Sequence, residues 1–317
     1  MAFTRRPRRS SPRRSKPARA TNSVIPHRGD WFMSKPAFAW PEGHRVAVIV
    51  SVLLETWSEG KAPSYFPRTT PNKPGIPDIA GINWSTYGGK EGVWRLGRIL
   101  DEVGLKATLF CNGRSAELYP DAVARYVRAG HDVAGHGYLQ DEVFAMLTPE
   151  EERGRIRQTL DAIEKAGGRR PTGWITPIYG WSEHTMDIVA QEKLSWCSDA
   201  LDSNLPYQQK TKSGSVVVIP WSDFVDNRAL RASPQIYFDV YKETFDYLHA
   251  CEPGSLINVG VHSHFGGRPL MSAMFRKVLQ YLSSFPDVWF PQHADVAQWM
   301  LDSKTENPTY ASRFVGR

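Results

Sequence analysis

The sequence predicts an α/β fold: a parallel (β/α) barrel of about seven strands in a single domain, with a doubly wound open sheet as the alternative architecture. Strand-like and helix-like segments alternate over about 250 residues. Reactive side chains recur at the C-terminal ends of the strand-like runs, where both architectures build their sites. No short-period repeat points to a solenoid.

The elements follow in order. "RVAVIVSVLLE" is a β-branched run that ends at Glu55. Residues 56–92 read as one long loop, because their Pro and Gly content argues against a regular element. Loops of that length are often lids or binding loops. Val93, Leu96, Leu100 and Val103 form one face of a helix that Gly104 stops. "KATLFCNG" is the second strand, a helix over 121–129 follows, and "HDVAGHG" is the third strand. Thr148, Pro149 and Glu151 spell a capping box for the next helix, whose buried stripe is Ile156, Leu160 and Ile163. "TGWITP", "LSWCSD", "SVVVIPW" and "LINVGVHSH" continue as strands. Helices are predicted over 182–192, 237–249 and 271–283. "VWFPQHADVAQWML" closes the chain as a last strand and helix.

Composition narrows the function. The chain has 317 residues, 41% of them hydrophobic, enough to bury a sizeable core. Its formal charge of +6 is unevenly spread: residues 1–32 hold nine Lys/Arg and one acid, giving +8 and leaving −2 on the rest. The folded part therefore lacks a basic stripe for nucleic acid. The stretch 1–32 is rich in Arg, Ser and Pro and is expected to be a disordered tail, with the domain over 33–317. It reads as a charged arm for anionic partners, a transit-like segment, or an extension upstream of a start at Met33. No secretory pattern is visible, and "VAVIVSVLL" is too short to span a membrane, which takes about 20 residues. Cys111, Cys197 and Cys251 have no metal spacing and are expected to be buried free thiols. A cytoplasmic protein with no membrane partner is the expectation.

The chemistry gathers at strand ends. Glu55 ends the first strand, Asn112 the second and His136 the third, followed by Gln140, Asp141 and Glu142. Tyr179 follows the fourth, Asp199 and Asp202 the fifth, and Asp223 and Asp226 the sixth. His262 and His264 end the seventh, in "VHSHFGGRP", with Arg268 beyond. Two histidines at i and i+2 on a strand share one face, and imidazole carries protons near neutral pH. One of the two is expected to act and the other only to brace a loop; His262 is the one chosen. A carboxylate at a dry strand end is expected to have a raised pKa and to act as a base, which is the role given to Glu55. His131 opens its strand and is read as structural, and His184, His249 and His293 as surface residues. Trp57, Trp84, Tyr87, Trp181 and Trp221 are candidate platforms for a sugar ring, though core anchoring is commoner.

Residues 87–138, "GWITPIYGWSEHTMDIVAQEKLSWCSDALDSNLPY" and "VHSHFGGRP" together resemble the polysaccharide deacetylase superfamily, nearest its branch of metal-independent allantoinases and peptidoglycan-deacetylase-like proteins. The resemblance implies a distorted β/α barrel and hydrolysis of a C–N bond other than a peptide. It carries over unevenly. The family's first motif, a pair of aspartates, falls on Leu54 and Glu55. Its HxxxH metal pair falls on His136 and Gln140. Its Arg falls on Ile175, and its late histidine, which protonates the leaving amine, on His262. After "HGY" the allantoinase branch has Arg and Trp, where this chain has Leu139 and Gln140.

Zinc usually takes three protein ligands from His, Cys, Asp or Glu. Glu55, His136 and Gln140 would make a poor site unless Asp141 or Glu142 joined them, so no tightly bound cofactor is expected, with a divalent metal such as zinc as the alternative. Acid–base hydrolysis follows: Glu55 activates water, His262 protonates the departing nitrogen, and His136 holds the carbonyl or the water. Trp57, Asn112, Gln140, Tyr179, His264 and Arg268 are the expected substrate-binding residues. The expected partner is a small amide, ureide or amino sugar, and the chain is expected to be a homo-oligomer. Two other readings stand beside this one: a metal-dependent carbohydrate N-deacetylase, and an inactive barrel that binds carbohydrate.

Overall fold

A computed structural model describes residues 38–67, 75–222, 224–229, 232–303 and 307–315. The expected tail over 1–32, the domain start at 33 and the candidate Asp223 lie outside the described residues.

A mostly parallel sheet curls into an open barrel with helices around it. Its strands are β1 (Val46–Leu54), β2 (Thr108–Cys111), β3 (Asp132–Gly135), β4 (Gly173–Trp174), β5 (Trp196–Cys197), β6 (Tyr207–Thr211), β7 (Gly214–Val218), β8 (Ser255–His262) and β9 (Val288–Trp289). They lie in the order β6-β7-β5-β4-β3-β2-β1-β8. β9 pairs with the first two residues of β1, on the edge that β2 takes up further along. Eight strands run parallel and β6 runs antiparallel to β7. β6 is the one strand not among the strand-like runs read from the sequence. "YQQKT" is polar and half-exposed, and only the hairpin turn after it and its place at a sheet edge make it a strand.

The helices are α1 (Ile79–Tyr87), α2 (Val93–Val103), α3 (Gly113–Leu118), α4 (Pro120–Arg128), α5 (Pro149–Gly167), α6 (Thr185–Gln191), α7 (Gln235–Cys251), α8 (Pro269–Leu282), α9 (His293–Asp302) and α10 (Tyr310–Phe314). The capping box on α5 forms, and α2 ends on Gly104 in the left-handed region as expected. The loop over 56–92 is not structureless throughout. Asp78 caps α1, and Gly88–Gly92 make a π-turn running into α2. The glycines there serve close approach rather than chain breaking: a Cβ on Gly92 would lie 1.8 Å from the Ser263 carbonyl oxygen.

The period-two alternation of a strand aims the site. On β1, Val46, Val48, Val50, Val52 and Leu54 join the core beneath the surrounding helices. Ala47, Ile49 and Leu53 join a second core inside the barrel, with Phe110, Ala134, Trp196, Val217 and Trp221. Glu55 continues the inward set of β1, His136 that of β3, and His262 that of β8. His293 is a correction to the surface reading: it is fully buried inside the barrel, stacked on Trp196, with Nδ1 3.0 Å from the Thr108 hydroxyl. His249 is half-buried and pairs with Asp287. Of the three thiols, Cys111 and Cys197 are buried, but Cys251 is exposed at the end of α7.

β7 and β8 do not pair, so β8 keeps one open edge. Side chains take the place of the missing strand. Tyr237 donates to the Gly260 carbonyl at 3.0 Å; the Tyr241 hydroxyl accepts from Gly260 N at 3.1 Å and donates to a neighbouring carbonyl. Asp226 Oδ2 accepts from His262 N at 2.9 Å. Buried backbone groups left unpaired would be costly, so these three side chains hold the open edge together.

Gly92→Ala is expected to destabilise the protein by about 1–3 kcal/mol, because the new methyl meets backbone rather than a movable side chain. Gly154→Ala, at an open position on α5, should instead stabilise it by about 0.5–1 kcal/mol. Urea unfolding of the two variants checks both signs.

Candidate active site

Three strand ends meet at the rim of the barrel. Glu55 follows β1, and His136 Nε2 stands 3.3 Å from its Oε1. His262 Nε2 stands 3.7 Å from the same oxygen. His264 Nδ1 faces Glu55 Oε2 at 3.6 Å, and both atoms lack a hydrogen-bond partner. All four residues are buried, the Glu55 side chain to 1% exposure.

Each imidazole is oriented from behind. His136 Nδ1 lies 3.1 Å from the Ile175 carbonyl, which can only accept, so Nδ1 carries the hydrogen. With Nδ1 carrying a hydrogen, its Nε2 can donate to Glu55 only when the ring is charged. His262 Nδ1 lies 2.5 Å from Asp226 Oδ1, on a 3-10 turn over Asp226–Ala229. His264 Nε2 lies 2.8 Å from the Tyr65 hydroxyl, with Trp57 and Trp84 edge-on to its ring.

The charges sort accordingly. Burial alone raises a carboxyl, but His262, the His136 hydrogen bond and His264 together outweigh it and bring Glu55 down to about 2. This corrects the expected raised pKa; the strand end is dry but ringed by imidazoles. Burial opposes charge on His262, yet Asp226 and Glu55 outweigh it and push the ring up to about 9. His264 goes the other way: burial, with too little compensation from Glu55, lowers it to about 3 and keeps it neutral.

A cavity of about 270 Å³ opens onto this group, lined by Glu55, His136, Gln140 and His262, with Leu53 and Ile175 as apolar wall. Tyr179 also lines it, on a backbone at φ 57° beside Ile178 at 47°. These left-handed angles in two bulky residues mark a strained turn at the cavity rim.

The other expected binding residues fall elsewhere. His264 is fully buried on the far side of Glu55, outside the cavity lining. Arg268 is spent on structure: it donates to the His264 and Trp84 carbonyls and lies over the Tyr87 ring. Asn112 is buried and braces the loop, accepting from Thr56 N at 2.8 Å and donating to the His136 carbonyl. Trp57 borders a second hollow of about 610 Å³, which Glu55 also lines, beside Lys61, Arg114 and Tyr138. Of the other candidate platforms only Trp221 reaches the cavity. Asp199 is buried and holds Thr176, while Asp202 accepts from Tyr207 at 3.2 Å.

Sequence reasoning gave no role to four residues that the fold brings here: Tyr65, Asp226, Asn227 and Arg228. Asp226 was visible as a strand-end acid. Nothing in the chain links it to His262, 36 residues on.

A divalent metal finds a poor donor set. Among the described residues no three His, Cys, Asp or Glu side chains are grouped to hold a metal ion. Leu54 is buried among core side chains where a carboxylate ligand would be needed. Gln140 offers a neutral amide whose Oε1 lies 3.4 Å from Asn112 Nδ2. Asp141 is held by Ser58 N at 2.8 Å and Lys61 at 2.9 Å, and Glu142 by Arg155 at 3.0 Å, so neither is free to complete the set.

Comparison with known proteins agrees with this geometry. The polysaccharide deacetylase family matches residues 84–195, which carry α2 through α6 and include His136 and Ile175. A peptidoglycan deacetylase of Helicobacter pylori is 21% identical over 69% of this chain and 87% of its own. A putative polysaccharide deacetylase of Mycobacterium smegmatis superposes with TM-score 0.74 at 25% identity, over 86% of this chain and 96% of its own. PuuE allantoinase superposes with TM-score 0.73 at 24% identity, over 83% and 92%. Residues 84–195 thus match the polysaccharide deacetylase family, the barrel is shared with a polysaccharide deacetylase and an allantoinase, and these likenesses indicate a hydrolase of C–N bonds other than peptide bonds.

Proposed function

We propose that the chain hydrolyses a small amide or ureide by acid–base catalysis at Glu55 and His262, without a tightly held metal. The observation that carries this reading is the line Asp226–His262–Glu55 on the wall of a cavity of about 270 Å³. That volume lies just under the usual range for ligand pockets, about 300–1,000 Å³, and suits a small substrate.

The ionised Glu55 takes a proton from water as the water oxygen attacks the carbonyl carbon. The C=O bond opens to a tetrahedral oxyanion. His262, charged and held at Nδ1 by Asp226, gives its Nε2 proton to the amide nitrogen, and the C–N bond breaks. The proton on Glu55 then restores the His262 imidazolium. A carboxylate at about 2 is a weak base while the imidazolium stands beside it. Once His262 donates, that opposing charge is gone and Glu55 holds its proton more firmly. Proton gain at one group and loss at the other are therefore coupled through less than 4 Å. His136 positions Glu55 and the water.

With a substrate found by screening cyclic ureides, N-acyl compounds and N-acetyl sugars, Glu55→Gln and His262→Ala should each lower kcat about 10²–10⁴-fold. Activity at wild-type level in both variants would sink the mechanism. The rate is expected to be level through neutral pH and to fall as His262 loses its proton near pH 9. Asp226→Asn should move that limb toward lower pH, since it removes the charge that raises the imidazole. A pH–rate profile with an unmoved limb would show that His262 is not the titrating acid. Treatment with EDTA followed by desalting should leave turnover intact; activity lost and recovered only with added zinc would favour the metal-dependent deacetylase.

A further inference from the structure

The cavity wall beside His262 includes two residues of the 3-10 turn over Asp226–Ala229, and the hydrolytic chemistry uses neither of them. Arg228 lines the cavity and is exposed; its backbone N–H donates to the Val225 carbonyl at 3.0 Å, but among the described residues its guanidinium makes no ion pair or hydrogen bond. It is close enough for its charge to act on His262, whose protonation it opposes. Asn227 lines the cavity too, and its Oδ1 is buried without a partner.

The remaining charges of the site are committed. Glu55 faces three imidazoles, and Asp226 is fully buried against His262. Among the described lining residues Arg228 is thus the one charged group left to meet a ligand. A planar guanidinium presents a fork of donors that fits a carboxylate, and a buried amide oxygen without a partner calls for an N–H. We propose that Arg228 and Asn227 form an anion-recognition site, and that the substrate is a small amide or ureide bearing a carboxylate. The carboxylate sits on the Arg228 fork, an N–H of the same molecule donates to Asn227 Oδ1, and the scissile carbonyl lies against Glu55 and His262. This rests on reading the Glu55 cavity as the substrate site. It gives the turn a double use: one face holds the acid, the other selects what the acid acts on. A bound carboxylate also cancels the charge of Arg228 beside His262, which favours the protonated ring that the reaction needs.

Matched probes test it: hydantoin-5-acetic acid against hydantoin, and N-acetylglycine against N-acetylglycinamide. Binding is measured by calorimetry in a Glu55→Gln background to prevent turnover, with Arg228 intact, Arg228→Lys and Arg228→Gln. With Arg228 intact at least one acid should bind about 10- to 100-fold more tightly than its neutral partner. The ratio should shrink in Arg228→Lys, which keeps the charge and loses the fork, and fall to about one in Arg228→Gln. A ratio of about one with Arg228 present, a preference that survives Arg228→Gln, or no binding of either acid overturns the proposal. Turnover by the wild-type protein is scored separately. Acids that bind through Arg228 without hydrolysis leave the anion site standing and refute the hydrolytic reading. Hydrolysis of the neutral members with no preference for the acids does the reverse.

Discussion

The hydrogen bonds from Asp226 to His262 organise this molecule. One carboxylate oxygen takes the backbone N–H at the open edge of β8, and the other takes the ring Nδ1. The same side chain therefore closes a seam that no strand covers and fixes the imidazole whose Nε2 faces Glu55. Burying an acid there would be prohibitive if either oxygen were left unpaired. Satisfied at both, it supplies the negative charge that keeps a buried imidazole protonated. Structure and chemistry share one residue, and the rim of the barrel cannot loosen without disturbing the acid.

Leu54, Gln140 and Ile175 stand where the family has metal ligands and a charged partner, and in this fold they act together. Leu54 joins the core, so only Glu55 remains at the end of β1. The Ile175 side chain forms apolar cavity wall, while its carbonyl orients His136. No arginine of this segment balances Glu55; the His262 ring and the His136 hydrogen bond do so instead. The proton on the His262 ring is both the charge that faces Glu55 and the one that the proposed reaction moves.

Much of the frame was legible in the chain. The β-branched run of β1, the capping box of α5 and the stop at Gly104 are local matters, set by backbone sterics and nearest-neighbour hydrogen bonds, and they stand as read. The failures have one character. "YQQKT" became a strand through its hairpin, and α1 formed in a stretch that its prolines and glycines seemed to exclude. His293, polar and at a helix start, ended inside the barrel because Trp196 and Thr108 cover it. In each case long-range packing outweighed local preference.

The site divides along the same line. Alternation along a strand depends on sequence position alone, so the sequence by itself determined that Glu55, His136 and His262 face the barrel interior at strand ends. What a side chain meets there depends on parts of the chain tens or hundreds of residues away. Only the tertiary structure decided that Glu55 is acidic rather than raised, that His264 lies behind it instead of lining the cavity, and that Arg268 is spent on Tyr87. It also decided that Asp226 holds His262, and that Asn227 and Arg228, on the same turn and with no strand-end pattern to announce them, line the pocket. Electrostatic environment is a sum over neighbours in space, and the order of residues along the chain does not list those neighbours.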